Sequence, residues 1–198
     1  MDAARHLDLG CGTRPRNPYG HPRVFGIDIR DGLGAPGVEH IAAADLTLQP
    51  IPFDDDSFDS VSAYDFLEHV PRVVPGVQPT PFPFINLMNE VWRVLRPGGR
   101  FYAVTPVYPH EKVFRDPTHV NVLTMKSHRY FTLPELGARM YGFRGSFRLV
   151  RQDRIHIRGV YEPHPPTLGR RLLRLADGLA GKRSHVVWEM EAVKPAAS

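Results

Sequence analysis

The stretch LDLGCGT (residues 7–13) has the form of a short buried strand that runs into a glycine-rich turn. Because glycine has no Cβ and readily adopts positive φ, Gly10 and Gly12 allow a sharp turn and a close approach of backbone to a ligand. A second strand is predicted over 24–29, and Asp28 lies near its end. An acidic residue at that position can accept hydrogen bonds from two ribose hydroxyls. The pattern therefore indicates a nucleoside site.

The loop after this turn is poorly suited to a pyrophosphate. A dinucleotide site uses a third glycine and a helix N-terminus beside the phosphates. Pro15 stands in place of that glycine, and Pro18 and Gly20 interrupt the short segment before Val24. S-adenosylmethionine has no phosphate and needs ribose, adenine and methionine contacts instead. We therefore expect S-adenosylmethionine as the cofactor, with an NAD-dependent dehydrogenase as the weaker enzymatic alternative.

The rest of the chain alternates short apolar runs with turns and a few helical patterns. Strands are predicted over 6–9, 24–29, 40–45, 60–65, 100–106, 147–161 and 184–193, and helices over 84–95, 132–141 and 167–181. This order predicts an α/β fold with a Rossmann-like sheet, mostly parallel, with one antiparallel strand near the C-terminus. The gaps after the first two strands are too short and too rich in proline and glycine for full helices, so the first helices are expected to be short or missing.

Two of these helices carry further expectations. Thr132 and Glu135 have the spacing of a capping box at the start of the helix over 132–141. The helix over 167–181 is amphipathic and is inserted between the last two strands. We expect this helix, or a second subunit in a homodimer, to cover the sheet face that the missing helices leave open.

Composition limits the class of protein. A chain of 198 residues with 42% apolar and 23% charged residues fits a single globular domain over 1–198. One cysteine excludes an internal disulfide and cysteine-based zinc fingers. The sequence has no apolar run of membrane-spanning length and no apolar signal segment at its start, so we expect a cytoplasmic protein without a membrane partner.

Five segments in a fixed order resemble the class I S-adenosylmethionine-dependent methyltransferases. They are LDLGCGT (7–13), GIDI (26–29), AADL (43–46), IPFDDDSFDSVSAYDFLEHV (51–70) and NEVWRVLRPGGRFYAVTP (89–106). The chain also resembles a smaller bacterial group of such enzymes that has a loop like PHEKVFRDPTHVN (109–121). The resemblance implies a class I methyltransferase sheet and S-adenosylmethionine as cofactor.

The resemblance also implies a set of cofactor-binding residues, which are Asp8, Gly10, Gly12, Asp28, Asp45, Leu46 and Tyr64. In this family Asp8 would approach the methionine ammonium, and Asp28 would hold the ribose hydroxyls. Asp45 would accept from the adenine amino group while Leu46 supplies a backbone donor. Tyr64 would face the methionine portion. Taken singly, each of these acids could instead be an ordinary strand-end or capping residue.

The loop after the fifth strand is expected to contact the methyl acceptor, because pockets in such sheets lie beyond the C-terminal ends of the strands. His119 or His110 could remove a proton, since histidine titrates near neutral pH, and Asp116 could orient His119. Acceptor-binding candidates are Tyr108, Arg115 and Asn121. Glu68 and His69, after the fourth strand, could line the same pocket or be packed inside the protein.

Two other interpretations of this loop stay open. Residues 116–119 could be a turn whose side chains bond the backbone. His110, Asp116 and His119 could also bind a metal, but their spacing matches no strong motif, so no metal is expected.

We therefore expect methyl transfer to a small-molecule or glycan acceptor, at oxygen in the first place and at nitrogen as an alternative. The alternative from another class is a non-catalytic S-adenosylmethionine-binding regulator or partner protein. An RNA methyltransferase is a weaker alternative, supported only by the basic stretch over 170–183. Nucleic acid is not the expected substrate, because the chain has no separate RNA-binding module. Nor does it have the Asn/Asp-Pro-Pro-Tyr/Phe motif after the fourth strand.

Overall fold

A computed structural model describes residues 3–157 and 168–195, which form a seven-stranded sheet. The strands are β1 (Arg5–Leu9), β2 (Arg23–Asp28), β3 (His40–Ala43), β4 (Phe58–Tyr64), β5 (Leu95–Pro106), β6 (Phe147–Ile155) and β7 (His185–Ala192). Their spatial order is β3-β2-β1-β4-β5-β7-β6. β7 runs antiparallel to both of its neighbours, β5 and β6, and the other neighbouring pairs of this sheet are parallel. The predicted α/β class, with one antiparallel strand near the C-terminus, is confirmed.

Helices are sparse in the described part of the chain. They are α1 (Pro83–Val94), the single turn α2 (Lys112–Arg115) and α3 (Leu168–Leu179), with 3-10 turns at Leu67–His69, Ser127–Tyr130 and Gly137–Tyr141. No helix lies between β1 and β2, between β2 and β3 or between β3 and β4. This confirms that the first helices are missing, as the proline- and glycine-rich gaps predicted.

Helix α1 covers one face of the sheet. Its buried side chains recur at helical spacing, and Pro83 fits its first turn, where no backbone N–H is needed. The helix ends at Val94, and β5 begins at Leu95 without a connecting loop. Pro97, Gly98 and Gly99 lie within β5, at the point where the register of the β4–β5 pair shifts.

The apolar core lies between α1 and the sheet, and Phe58 is one of its largest fully buried side chains. The Phe58 ring packs edge-on against Phe25 and Phe53, with centroid distances of 5.5 and 5.0 Å. We expect Phe58→Ala to lower the free energy of unfolding by roughly 3–5 kcal/mol, because a cavity replaces these contacts. Urea denaturation measures this, with Leu48→Ala, at a 79% exposed position, as the control. A loss below about 1 kcal/mol would contradict this account of the core.

The opposite face carries buried polar side chains of β1 and β4 beside a smaller apolar cluster that includes Tyr102 and Val187, and the loop over 13–22 covers it in place of a helix. The Tyr19 hydroxyl donates to Glu189 Oε1 on β7 at 3.0 Å, and its ring meets the edge of Tyr102 on β5. Arg16 places its guanidinium 4.9 Å from the ring centre of Tyr64. Short as it is, this loop crosses the sheet from β1 to β7.

The expectation that the helix over 167–181 covers this face is wrong for the described residues. Leucine side chains along α3 are between 51% and 93% exposed; they are Leu168, Leu172, Leu173, Leu175 and Leu179. The polar face is already occupied by Tyr19 and Arg16, which match its hydroxyls and carboxylates better than a leucine stripe would. Cover by a second subunit stays a prediction.

The helix predicted over 132–141 is also wrong. Thr132 is buried and forms an isolated β-bridge with Phe147, and residues 133–135 form turns. Glu135 pairs with Arg129 at 3.3 Å instead of completing a capping box. Leu136 has a φ of 45°, which interrupts a right-handed helix, and only the 3-10 turn Gly137–Tyr141 follows. Pairing with β6 outweighs the local helical pattern.

The remaining expectations about elements concern their ends. The strand predicted over 147–161 ends at Ile155, and its residues 158–161 lie outside the described part of the chain, as does Thr167 at the start of the inserted helix. None of the helices in the described residues has the length and apolar character needed to cross a membrane.

Candidate functional site

The glycine turn after β1 and the end of β2 form one hydrogen-bonded unit. Gly12 N donates to Asp28 Oδ2 at 2.9 Å, and both Gly10 and Gly12 have positive φ. A Cβ on Gly10 would lie 2.6 Å from the ring of Phe66, so this glycine makes room for a side chain as well as for the turn. The structure thus brings three of the predicted cofactor residues together.

Asp28 is buried, and both of its carboxylate oxygens accept hydrogen bonds. Arg30 Nε donates to Oδ1 at 2.8 Å, and Arg30 N donates to the same oxygen at 3.1 Å. The side-chain hydrogen bond from Arg30 is the largest cause that holds the pKa of Asp28 below its usual value, so it is a carboxylate at neutral pH. Arg30 itself is exposed and can move aside for a ligand.

Asp8 belongs to a buried row of polar side chains on β1 and β4. Ser62 Oγ donates to Asp8 Oδ1 at 2.6 Å, and Arg16 N donates to Oδ2 at 2.8 Å. Ser62 therefore accepts from His6 Nε2 at 2.9 Å, which leaves His6 Nδ1 to accept from Ser60 Oγ at 2.6 Å. Burial raises the pKa of Asp8 to about 7 and lowers the pKa of His6 to about 3.

The other predicted cofactor residues lie at the ends of neighbouring strands. Tyr64, the last residue of β4, is buried, and its ring centre lies 5.7 Å from that of Tyr102. Asp45 follows β3, and its Oδ1 accepts from Thr47 N and Thr47 Oγ1 in a side-chain turn. Leu46 is buried in the main core. All these positions follow the C-terminal ends of parallel strands, where ligands bind in sheets of this kind.

A separate cavity of about 460 Å³ opens beyond the ends of β4 and β5. Its lining includes Asp65, Glu68, His69, Arg115, His119 and His185. Glu68 and His69 come from the 3-10 turn after β4, and His119 comes from the loop after β5. The structure therefore brings Arg115, predicted to bind the acceptor, and the predicted catalytic residues Asp116 and His119 to a cavity that Glu68 and His69 also line.

Glu68 is the most buried acid of this cavity, with 2% of its surface exposed. Its Oε2 accepts from Thr105 Oγ1 at 2.9 Å, whereas Oε1 has no hydrogen-bond partner and lies 4.0 Å from His119 Nε2. Burial raises the pKa of Glu68 to about 8. A buried carboxyl oxygen without a hydrogen-bond partner is uncommon in folded proteins and calls for an explanation.

Asp116 does not orient His119 as the sequence analysis expected. Asp116 Oδ1 accepts from Thr118 N and Thr118 Oγ1, at 2.8 and 2.7 Å, within a tight turn. The Nδ1 atom of His119 contacts the carbonyl oxygen of Val113 at 3.2 Å instead. The reason is local, because the turn commits the Asp116 carboxylate to Thr118. Asp116 reaches His69 through Thr118.

Three other sequence candidates stand apart from the cavity. Asn121 is 1% exposed and is used internally: it donates to Leu67 O at 3.1 Å and accepts from Arg72 Nε at 2.7 Å, which disagrees with its expected role in acceptor binding. His110 Nδ1 accepts from Lys112 N at 3.2 Å, and desolvation lowers the pKa of His110. Tyr108 is half exposed. Neither His110 nor Tyr108 lines the cavity.

Sequence reasoning missed Asp65 and His185. The two side chains are 3.2 Å apart, from Asp65 Oδ1 to His185 Nε2, and both line the cavity. Asp65 has a φ of 47° directly after β4, an uncommon conformation for a non-glycine residue. His185 pairs with Pro106 at the end of β5. Only the antiparallel register of β7 reveals this proximity.

A second cavity near the start of α1 is mainly apolar, with a volume of about 520 Å³. Its lining includes Val73, Phe82, Phe84, Ile85, Leu123 and Phe131. The segment over 70–83 contributes Arg72, Val73 and Phe82 to its wall. Because α1 runs back from the edge where β4 ends, this cavity opens on the same edge of the sheet as Glu68.

Comparison with known proteins agrees with the geometry. The sequence profile of a family described as Methyltransferase domain matches residues 7–103. A demethylmenaquinone methyltransferase of Symbiobacterium thermophilum is 30% identical over 126 residues, which cover 55% of this chain and 45% of that relative. One of Listeria monocytogenes is 28% identical over 120 residues, with coverage of 52% and 45%. The chain thus spans less than half the length of these curated relatives.

Solved structures show the same fold at low sequence identity. A methyltransferase in complex with a methyltransferase activator of Haloferax volcanii has a TM-score of 0.60 at 17% identity, covering 98% of this chain and 84% of that one. An S-adenosylmethionine-dependent methyltransferase of Mesorhizobium loti has a TM-score of 0.55 at 16% identity, with coverage of 96% and 91%. At these identities the likeness concerns the fold alone.

Proposed function

Because the chain belongs to the class I S-adenosylmethionine-dependent methyltransferases, we propose that it transfers the methyl group of S-adenosylmethionine to a small-molecule acceptor. The observation that carries the proposal is the arrangement of two separate sites at one sheet edge. The Gly12–Asp28 unit lies at the ends of β1 and β2, and the cavity beside Glu68 and His119 lies beyond β4 and β5. A nucleoside across the first site would direct its sulfonium methyl toward the second.

In this cofactor site the ligand would be bound by side chains at the ends of strands, whereas dinucleotide sites bind phosphate at a helix N-terminus. Asp28 would accept from the ribose hydroxyls after Arg30 moves aside, and Asp45 would meet the adenine amino group with one carboxylate oxygen. Asp8, Arg16 and Tyr64 surround the position expected for the methionine tail. The guanidinium of Arg16 suits the tail's carboxylate, and the charge of Asp8 suits its ammonium.

We propose a hydroxyl as the acceptor group, with an amine as the alternative and with a glycan among the candidate small molecules. The sulfonium supplies its own leaving group, so alignment of the nucleophile accounts for much of the rate, roughly 7–11 kcal/mol. A hydroxyl must also lose its proton. Glu68 Oε1 and His119 Nε2 can assist directly, or by holding a cation that makes the hydroxyl more acidic.

The apolar cavity near α1 supports an acceptor with an aromatic or hydrocarbon part. Such a part would fit the surface formed by Phe82, Phe84 and Phe131, while its polar end reaches the Glu68 cavity. The curated relatives are named for demethylmenaquinone methylation, which supports an acceptor with a ring and a hydrocarbon part but does not bear on the atom that is methylated. We therefore favour a phenolic or quinol-type acceptor.

The proposal is tested in two steps. Calorimetry compares S-adenosylmethionine with NAD, and only the former should bind in the micromolar range. Labelled S-adenosylmethionine is then incubated with panels of phenols, sugars and amines. Label should appear in a hydroxyl-bearing product. Binding of NAD in preference to S-adenosylmethionine, or the absence of labelled product from every panel and from a cell extract, would contradict the proposal.

The raised pKa of Asp8 predicts how cofactor binding depends on pH. Below about pH 7 this carboxyl holds a proton and is neutral, so it cannot attract the methionine ammonium without first losing that proton. Affinity for S-adenosylmethionine should therefore rise by up to about tenfold between pH 6 and pH 8. Calorimetry across this range measures it. Asp8→Asn is the control and should give a flatter profile; identical profiles for the two proteins would exclude this role for Asp8.

A further inference from the structure

Glu68, His69 and His119 come close together because the backbone fastens their two loops. Val120 N and Asn121 N both donate to Glu68 O at 2.9 Å, and Asn121 Nδ2 donates to Leu67 O. The ring centres of His69 and His119 are 4.9 Å apart, and one ligand atom from each of the three residues lies within 4.8 Å of the others. The two loops that carry the cluster are thus joined by hydrogen bonds that do not use the side chains of Glu68, His69 or His119.

Hydrogen bonds fix the tautomers of both imidazoles. The Val113 carbonyl can only accept, so His119 Nδ1 carries the proton and Nε2 has a free lone pair. Thr118 Oγ1 gives its own proton to Asp116 Oδ1, so it accepts from His69 Nδ1. His69 Nε2 therefore also has a lone pair. Backbone or carboxylate partners on the outer nitrogen are the usual support for a metal-binding histidine.

The unpartnered side-chain oxygen of Glu68 is a second observation, independent of the clustering, that points to a bound ligand. Only 2% of the surface of Glu68 is exposed. Its Oε2 accepts a hydrogen bond from Thr105, whereas its Oε1 has no hydrogen-bond partner and lies 4.0 Å from His119 Nε2. Such an oxygen loses its hydration without compensation unless something binds there. A cation between Oε1 and the two imidazole nitrogens would satisfy all three atoms.

We propose that Glu68, His69 and His119 bind one divalent first-row transition-metal ion of the zinc type. Two imidazoles and one carboxylate suit such an ion better than magnesium, which prefers oxygen ligands and water. Ligand atoms around a tetrahedral zinc ion lie about 3.4 Å apart, given bond lengths of about 2.0–2.1 Å. The 4.0 Å between Glu68 Oε1 and His119 Nε2 would shorten by about 0.6 Å, and the other pairs, which lie within 4.8 Å, by up to about 1.4 Å.

The ion would have open coordination positions toward the 460 Å³ cavity, and its role there rests on the proposed function. An acceptor hydroxyl bound to it would lose its proton to solvent water more readily. The oxygen lone pair would then form the bond to the methyl carbon, while the electrons of the S–C bond return to sulfur and leave a neutral thioether. His119 and Glu68 would act as ligands rather than as proton acceptors.

The test uses full-length, tag-free protein freed of metal with a chelator. Cobalt(II) is titrated and followed by its visible absorption, and zinc binding is measured by calorimetry. We expect one ion per chain with micromolar or tighter affinity. Glu68→Gln and His119→Asn should each weaken binding by at least tenfold, and Thr118→Val, which removes the partner of His69, should weaken it about tenfold. His110→Asn, in the same loop but outside the cluster, should bind cobalt as the unmodified protein does.

Circular dichroism confirms that each variant is folded, and His69→Asn replaces Glu68→Gln if burial makes the latter unfold. The proposal is overturned by absence of stoichiometric binding at 100-fold excess of ion, or by equal binding in the Glu68, His69 and His119 variants. S-adenosylmethionine affinity is measured on the same metal-free protein. Cofactor binding without metal binding would reject the metal site alone, whereas metal binding without cofactor binding would reject the proposed function alone.

Discussion

Asp28→Ala is expected to weaken binding of S-adenosylmethionine at least 100-fold. The carboxylate would make two hydrogen bonds to the ribose, and a hydrogen bond to a charged group contributes about 1.5–3 kcal/mol. Loss of both therefore costs about 3 kcal/mol or more, and each 1.4 kcal/mol is a factor of ten in Kd. The change also removes the acceptor for Gly12 N and so loosens the glycine turn. Isothermal titration calorimetry at pH 7.5 measures the effect.

Two control variants separate this effect from general damage. Glu39→Gln removes an exposed acid that pairs with Arg23 just before β3, and it should leave Kd within about twofold. Arg30→Gln frees Asp28 from its ion pair, so it should leave binding unchanged or tighten it by a few-fold. If Asp28→Ala binds the cofactor within threefold of the unmodified protein, the ribose is held elsewhere.

His119→Ala is expected to lower methyl transfer by about 10²–10⁴-fold while S-adenosylmethionine affinity stays within about twofold. His119 has no contact with the Gly12–Asp28 unit, so its loss should not affect the cofactor. Whether it accepts the acceptor's proton or ligates an ion that acidifies it, its removal leaves the nucleophile protonated. Single-turnover transfer of labelled methyl, with the acceptor found in the screen, measures the rate.

The matched control is His40→Ala, because His40 begins β3 at the opposite edge of the sheet and is exposed. This variant should transfer methyl at the unmodified rate. Full activity in His119→Ala would remove the residue from the chemistry. A protein that binds the cofactor but gives no product with any acceptor would instead favour the non-catalytic, S-adenosylmethionine-binding alternative.

Local and neighbouring-strand features were predictable from sequence. The proximity of the glycine turn to Asp28 was predictable, because the parallel strands β1 and β2 follow each other along the chain and their C-terminal ends lie side by side. The missing first helices follow directly from Pro15, Pro18 and Gly20. The alternation of polar and apolar residues that places His6 and Asp8 beside Ser60 and Ser62 is also visible in the sequence.

Features that depend on distant pairing were not predictable. Asp65 and His185 are neighbours only because β7 pairs antiparallel with β5, and Glu68 meets His119 only because the loop after β5 is tied to the turn after β4. The capping-box pattern at Thr132 failed for the same reason: a backbone bridge to Phe147, remote in sequence, decides its conformation. Local propensity is a weak guide where a segment adds to a sheet.

The chain of hydroxyl, imidazole and carboxyl groups formed by Ser60, His6, Ser62 and Asp8 also bears on how the chain folds. Sliding β1 by one position along β4 would push His6 and Asp8 into hydrocarbon and expose Leu7 and Leu9. With β1 shifted by one residue, neither the polar nor the apolar side chains would have suitable surroundings. The polar row therefore makes the native register of β1 and β4 far more stable than a register shifted by one residue. Errors in the alignment of β1 with β4 should therefore be rare during folding.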